Sequence, residues 1–256
     1  MRRIFVILIL IPLLCIPAAA FGWTRSDLFG YHAQITSFDW IDARRGSRLT
    51  LSGDDNITVY GFLPFSIKFY GLKYFYIIIS TNGLISFDIV SASSRNNSPL
   101  PYPGLPNNII CPFWDDLVIE SGAVYVYFDS IRNIFVVQWD DLTDATYHTD
   151  NLTFQVQFIK STGEIRFMYA SMVGTIAAGT SASVGIENGD GSTGIRYVDE
   201  FSPGLIGDGL GLSFSPPYNL PVMSIKGCFI LVFLFLLVIF NFLRNNGFHM
   251  TFNYYE

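Results

Sequence analysis

Two long apolar tracts bracket this chain of 256 residues, and nothing like them interrupts the stretch between. The first runs from Ile4 to Ile16 behind Arg2-Arg3 and ends in Pro17-Ala18-Ala19-Ala20. A basic start, a short apolar core and small residues at its end make a secretory signal peptide. Ala18 and Ala20 place the cleavage after Ala20, with Gly22 as second choice. Cys15 follows Leu14, where a lipoprotein signal needs a small residue, so no lipid anchor is expected. The second tract, Cys228 to Leu243, lies between Lys226 and Arg244 and has Asn241 as its single polar residue. Spanning a bilayer takes about 20 apolar residues, with a lower limit near ~17. The tract is marginal in length, but a buried helix of a globular protein keeps a polar stripe and this segment keeps none.

These tracts predict an order of parts: a signal peptide at 1–20, an exported body at 21–201, a Gly/Pro-rich linker at 202–226, a transmembrane helix or sorting signal at 227–244 and a cytoplasmic tail at 245–256. The body is then expected outside the membrane, in the cell envelope or on the surface, on a single-pass anchor.

From Phe21 to Pro221 there are eleven Lys/Arg and twenty Asp/Glu, a net charge of −9. Neutralising phosphates needs a basic face, so nucleic acid is not an expected partner, and the same balance argues against docking on anionic lipid. The chain has three cysteines. Cys15 leaves with the signal and Cys228 sits in the second tract, so no disulfide within the body is possible. The body must stand on its apolar core. Cys111, in Ile109-Ile110-Cys111-Pro112-Phe113, reads as a small buried hydrophobe.

The body shows no sustained helical period. Turn residues recur at short intervals, and apolar residues alternate. In Thr153-Phe154-Gln155-Val156-Gln157-Phe158 every second residue is apolar, so Phe154, Val156 and Phe158 point inward and the glutamines outward. Val124, Val126 and Phe128 repeat the pattern against Tyr125 and Tyr127. Strands are expected near 48–51, 57–60, 66–69, 74–80, 84–87, 109–113, 123–128, 134–139, 152–159, 165–169, 183–187 and 193–198, with a last edge strand at 210–214. The class is all-β, an antiparallel sandwich of about ten to twelve short strands. Asn82-Gly83 suits a two-residue hairpin. Ser91–Asn108, with Pro99, Pro101, Pro103 and Pro106, excludes helix and strand and reads as a long loop.

Two pairs of acids follow tryptophans: Trp114-Asp115-Asp116 and Trp139-Asp140-Asp141. Paired carboxylates serve as acid and base in glycosidases or bind calcium through oxygen. Adjacent aspartates at a strand end also accept backbone N–H bonds and start turns, and that reading is favoured over catalysis. Asp115, Asp116, Asp140 and Asp141 are therefore candidates for a partner or calcium loop; no cofactor is expected, with calcium the one alternative. No phosphate loop, zincin motif or serine-nucleophile signature occurs. An enzyme is not expected.

The run Ser37-Phe38-Asp39-Trp40-Ile41-Asp42-Ala43 is followed by Leu49-Thr50-Leu51-Ser52-Gly53-Asp54-Asp55, Leu63-Pro64-Phe65 and Phe69-Tyr70-Gly71. Ser80-Thr81-Asn82-Gly83-Leu84-Ile85-Ser86-Phe87, Pro112-Phe113-Trp114-Asp115-Asp116-Leu117, Val136-Val137-Gln138-Trp139 and Phe154-Gln155-Val156 complete the series. Over roughly residues 36 to 200 this order resembles the nidogen-like β domain of extracellular adhesion and matrix proteins, and more closely the related modules of bacterial surface proteins. The resemblance implies an extracellular, non-catalytic, adhesive β module. Pro221-Val222-Met223-Ser224, Gly227, the apolar tract and Arg244 resemble the C-terminal sorting signals of the "IPTL" type, which implies recognition by an exosortase-type sorting protease. The expected partner is an extracellular protein, with a polysaccharide as the alternative and a hydrolase using Asp115, Asp116 or Asp140 as a third.

Overall fold

The computed structural model describes residues 23–90, 92–198, 206–217 and 237. The signal peptide, most of the 202–226 linker, the 227–244 segment apart from Leu237 and the tail lie outside the described residues, as do Pro221, Met223, Ser224, Gly227 and Arg244. Among the described residues no helix is long and apolar enough to cross a membrane. The chain divides into two compact units after Pro217, and every strand described belongs to the first.

In chain order the strands begin with β1 (Thr24–Ser26), β2 (His32–Thr36), β3 (Ser47–Arg48), β4 (Gly53–Asp54), β5 (Ile57–Tyr60) and β6 (Ile67–Phe69). Next come β7 (Leu72–Tyr74), β8 (Ile77–Ser80), β9 (Ile85–Ser86), β10 (Ile109–Trp114), β11 (Leu117–Ile119) and β12 (Ala123–Asp129). The last are β13 (Ile134–Asp144), β14 (Asn151–Ile159), β15 (Ile165–Val173), β16 (Ser183–Glu187), β17 (Gly194–Val198) and β18 (Gly211–Ser215). A 3-10 turn at Ala43–Arg45 is the one helical turn described between Trp23 and Pro217.

The strands form two antiparallel sheets. The first runs β1-β2-β18-β15-β14-β13-β11-β4, with β12 beside the first part of β13 and β3 beside β12; the second runs β17-β16-β10-β9-β8-β5; β6 and β7 make a separate hairpin. The sandwich is the expected class, with more and shorter strands than the apolar runs alone suggest.

The core lies between the sheets. Phe154 and Trp139 stack from the first sheet, and the Phe113 ring of the second lies 5.7 Å from Phe154. Two polar tips cross the core and find backbone partners, as buried indole and phenol groups must. Trp139 Nε1 donates to Ser80 O at 2.8 Å and Tyr169 Oη to Pro112 O at 2.7 Å. Cys111 is buried and free, as its apolar setting predicts.

Three expectations are corrected. Gln155 and Gln157 leave the core side as alternation requires, yet both are fully buried. Residues 37–45 strap across the outside of the first sheet: Gln155 donates to Ile41 O, Gln157 to Asp39 O, and Gln138 Oε1 accepts from Ala43 N. Ile41 and Ala43 pack there on Ile134, Val136 and Ile159. The glutamines are the polar fastening of that strap, which period-two reasoning does not reveal. Strand β18 is internal rather than at an edge, because β2 pairs with it from Gly211↔Thr36 to Ser215↔His32. The Asn82-Gly83 turn is not a two-residue hairpin. It holds Thr81, Asn82 and Gly83, closed by Ser80 N donating to Leu84 O at 3.0 Å, and only Gly83 of the three has positive φ, +67°. A Cβ on Gly83 would stand 2.0 Å from Phe113 O, so glycine is required by contact as well as by conformation.

The loop after β9 contains no strand, as its prolines demand. It covers the outer face of the second sheet, where Leu100 packs with Leu84, Ile109, Cys111 and Trp114. Trp114 Nε1 donates to Ser94 O, and Asn97 Nδ2 to Trp114 O.

Candidate functional site

Strand pairing brings three separate acidic segments to one end of the sandwich. β4 pairs with β11 (Val118↔Asp54), β11 pairs with β13 (Leu117↔Asp144), and β5 begins beside Ser80 at the end of β8. The turns next to these pairs carry Asp54-Asp55, Asp115-Asp116, and Asp144 with Asp150.

Asn82 organises this end. It is fully buried. Its Nδ2 donates to Asp55 Oδ1 at 2.9 Å and to Ser93 O at 3.0 Å, and its Oδ1 accepts from Leu117 N at 3.1 Å. Its own backbone O accepts from Asp115 N at 3.3 Å. One amide thus ties the 81–83 turn to the first acidic segment, the second acidic segment and the proline-rich loop.

At the rim, Asp54, Asp55 and Asp116 each bring a carboxylate oxygen within 4.8 Å of the others. Asp54 and Asp55 are exposed and Asp116 is half-buried. Partial burial raises the Asp116 pKa, helped by the charges of Asp54 and Asp55 and opposed by Arg95. Arg95 pairs with Asp55 at 3.5 Å, both about half exposed, where an ion pair adds at most ~1 kcal/mol. Among the described residues these are the ones whose charge and spacing could hold a divalent cation. They supply three oxygens of the six to eight that calcium takes, and a cation here would draw the rest from water or a partner.

Beneath the rim the acids are committed to the fold. Asp115 is buried, which raises its pKa; its Oδ2 accepts from Ser181 Oγ at 2.6 Å and its Oδ1 from Asp116 N at 2.9 Å. Asp144 Oδ1 accepts from Thr146 N at 2.9 Å and Tyr147 N at 2.5 Å. Asp150 Oδ1 accepts from Ile176 N at 3.1 Å. The remaining oxygens of Asp144 and Asp150 have no other donor and face each other. Below about pH 6 one proton held between them satisfies both. Burial, then the neighbouring Asp144, push the Asp150 pKa up to about 6. Burial also disfavours the charged form of Asp144, but the hydrogen bond with Asp150 and the amides of Tyr147, Thr146 and Thr149 outweigh it and hold its pKa low.

Of the four aspartates singled out in the sequence, only Asp116 joins the rim. Asp115 lies under it. Asp140 and Asp141 sit on β13 at the irregularity between Trp139 and Leu142, and their carboxylates are held locally. Asp140 accepts from Gln138 Nε2; Asp141 accepts from Asn151 Nδ2 and from Ser121 Oγ. Sequence reasoning missed Asp54, Asp55, Asn82, Asp144 and Asp150 as site residues. A signal for the first two exists, since Asp54-Asp55 is a third adjacent pair, but only the β4–β11 pairing selects it over Asp140-Asp141.

No curated protein and no solved structure matches the chain significantly. The family described as NIDO related matches residues 30–202, more than half of the chain. That span holds the strap, the buried asparagine turn and every acid of this end, and the chain belongs to the NIDO related family.

Proposed function

We propose that this chain is a non-catalytic cell-surface module that presents the acidic end of its sandwich to an extracellular protein. The observation that carries the reading is the sorting of carboxylates by depth. Asp115, Asp144 and Asp150 give their oxygens to backbone amides, a hydroxyl and each other, whereas Asp54, Asp55 and Asp116 converge at the rim, where Asp55 also holds Asn82 Nδ2 and Arg95. Converged surface carboxylates are a fixed negative patch, which steers and selects a partner of basic surface. A NIDO related domain is compatible with an extracellular, non-catalytic module. The apolar tracts support the rest of the reading: export by residues 1–20 and anchoring by residues 227–244, with Pro221, Met223, Ser224, Gly227 and Arg244 as the sorting signal for an exosortase-type protease.

The test uses the full-length chain in nanodiscs against immobilised extracellular proteins and a glycan array, beside Asp54→Asn/Asp55→Asn/Asp116→Asn. Protein binding that weakens about tenfold in the neutralised variant, ~1.4 kcal/mol, and weakens with salt, supports the reading. Selective retention of a sugar, unaltered by the three substitutions, replaces it with a polysaccharide-binding role. Mass spectrometry of both mature termini tests export and sorting separately.

A further inference from the structure

The end of the sandwich opposite the acids has an unusual surface. Among the described residues the most exposed large apolar side chains lie on turns there: Leu28 at 94%, Ile131 at 92% and Phe62 at 87%, followed by Phe75 and Leu72. Pairing fixes their common location. The 27–31 turn joins β1 to β2, and β18 ends beside it at Ser215↔His32. The 160–164 turn is next to the same exit, with Pro216 Cγ 3.4 Å from a Cβ built on Gly163. The 130–133 turn neighbours it through Lys160 N donating to Asn133 O. Phe29 lies against Gly71, which brings in the β6–β7 hairpin with Leu72. Tyr60 stacks on Phe135 beside Ile134, which places Phe62 at this end too.

Two of these tips are held outward by design of the turn. Asp27 Oδ1 accepts from Gly30 N and Tyr31 N, and its Oδ2 from Tyr70 Oη, which fixes the loop bearing Leu28. Asp129 Oδ1 accepts from Ile131 N and Arg132 N, and Arg132 is clamped between Asp129 and Asp39. A turn tip in water ordinarily carries polar residues, and large apolar side chains on several turns of one end point to an interface there. Lys68 and Lys73 oppose each other on the hairpin, and Lys160 stands over the Phe65 ring at 6.0 Å. Among the described residues none of these three lysines forms an ion pair.

The occupant is indicated by where the chain leaves. Pro217 lies beside the 27–31 turn: a Cβ on Gly30 would be 3.1 Å from Pro217 Cβ. Ten residues separate Pro217 from Cys228, where the apolar tract starts. At ~3.6 Å per residue fully extended, they reach at most about 36 Å. We infer that the apolar-tipped end of the sandwich, led by Leu28, Phe62 and Ile131 and flanked by Lys68, Lys73 and Lys160, docks on the lipid surface into which residues 227–244 insert. Apolar tips enter the headgroup boundary, and the three lysines give this end a local basic flank that meets lipid phosphates, within a body whose net charge of −9 otherwise argues against anionic lipid. This inference rests on the membrane anchor proposed above. It fixes the orientation of the module, with the carboxylate rim turned away from the bilayer.

The experiment places the full chain in vesicles of phosphatidylcholine and phosphatidylglycerol carrying acyl-chain-brominated lipid. Tryptophan is introduced singly as Leu28→Trp, Ile131→Trp or, at the other end, Tyr147→Trp. These positions are exposed, so the substitutions leave the core untouched. Flotation with the vesicles is measured first. The expected result is flotation of all three, with a loss and blue shift of the added emission for Leu28→Trp and Ile131→Trp and neither for Tyr147→Trp. Flotation with equal emission at all three positions overturns the docking while leaving the anchor in place. Chain that stays in the soluble fraction overturns both.

Discussion

The two ends of this sandwich are built from opposite materials and held by opposite means. At the acidic end, polar groups are internal: Asn82 is buried with its amide fully engaged, and Asp144 and Asp150 meet in the interior. At the exit end, apolar side chains are external, on turns that Asp27 and Asp129 fix by accepting backbone N–H bonds. Fold stability and surface character therefore draw on separate residues. Removing a buried polar hub leaves donors and acceptors unpaired in low dielectric, whereas trimming an exposed apolar tip changes only what the surface meets.

The largest effect is expected at Asn82. Asn82→Ala strips Leu117 N, Asp55 and Ser93 O of their partner and should cost about 3 kcal/mol, read by denaturant unfolding. A loss below ~1 kcal/mol would break the contrast, because the hub would then be dispensable. The next is Asp150→Asn. The Asp150 pKa is raised to about 6, so its contribution is present in full below the ordinary carboxylate range near 4 and is lost as pH rises through about 6. The asparagine variant should equal the parent near pH 4 and exceed it by ~1–2 kcal/mol at pH 7, with a flatter profile between. Asp116→Asn should be milder. It relieves repulsion from Asp54 and Asp55 and raises stability by ~0.5 kcal/mol, a gain that shrinks with salt. Smallest are Leu28→Ser and Ile131→Ser, expected within ~0.5 kcal/mol of the parent while weakening contact with lipid.

Much of this fold is legible in the residues. Alternation in β12, β14 and β15 locates the central strands because one face of each meets the core. Prolines mark the 91–108 loop for the reason that they cannot join a ladder. The outer side of the first sheet is where sequence reasoning fails: Gln155 and Gln157 read as solvated and are buried under the strap, beside Gln138. Burial by a distant irregular segment leaves no periodic trace. The short strands β1, β2, β4, β7 and β11 also escape, since two to five residues set no period and exist through their partners. Asp116 is readable as a candidate; its companions Asp54 and Asp55 are not, because the choice among three Asp-Asp pairs depends on β4 lying against β11. The apolar tips show the converse limit. Ile131 falls between the expected strands 123–128 and 134–139 and Leu28 before the first of them, and the turns fixed by Asp129 and Asp27 hold both side chains outward.

The central claim is that the two ends face different surroundings. Hydroxyl-radical footprinting of the full chain in nanodiscs and in detergent, read residue by residue by mass spectrometry, tests it in one sample. The bilayer is expected to protect Leu28, Phe62 and Ile131 from oxidation relative to detergent and to leave Tyr147 unchanged. Protection of Tyr147, or equal oxidation of both ends in the bilayer, would contradict it.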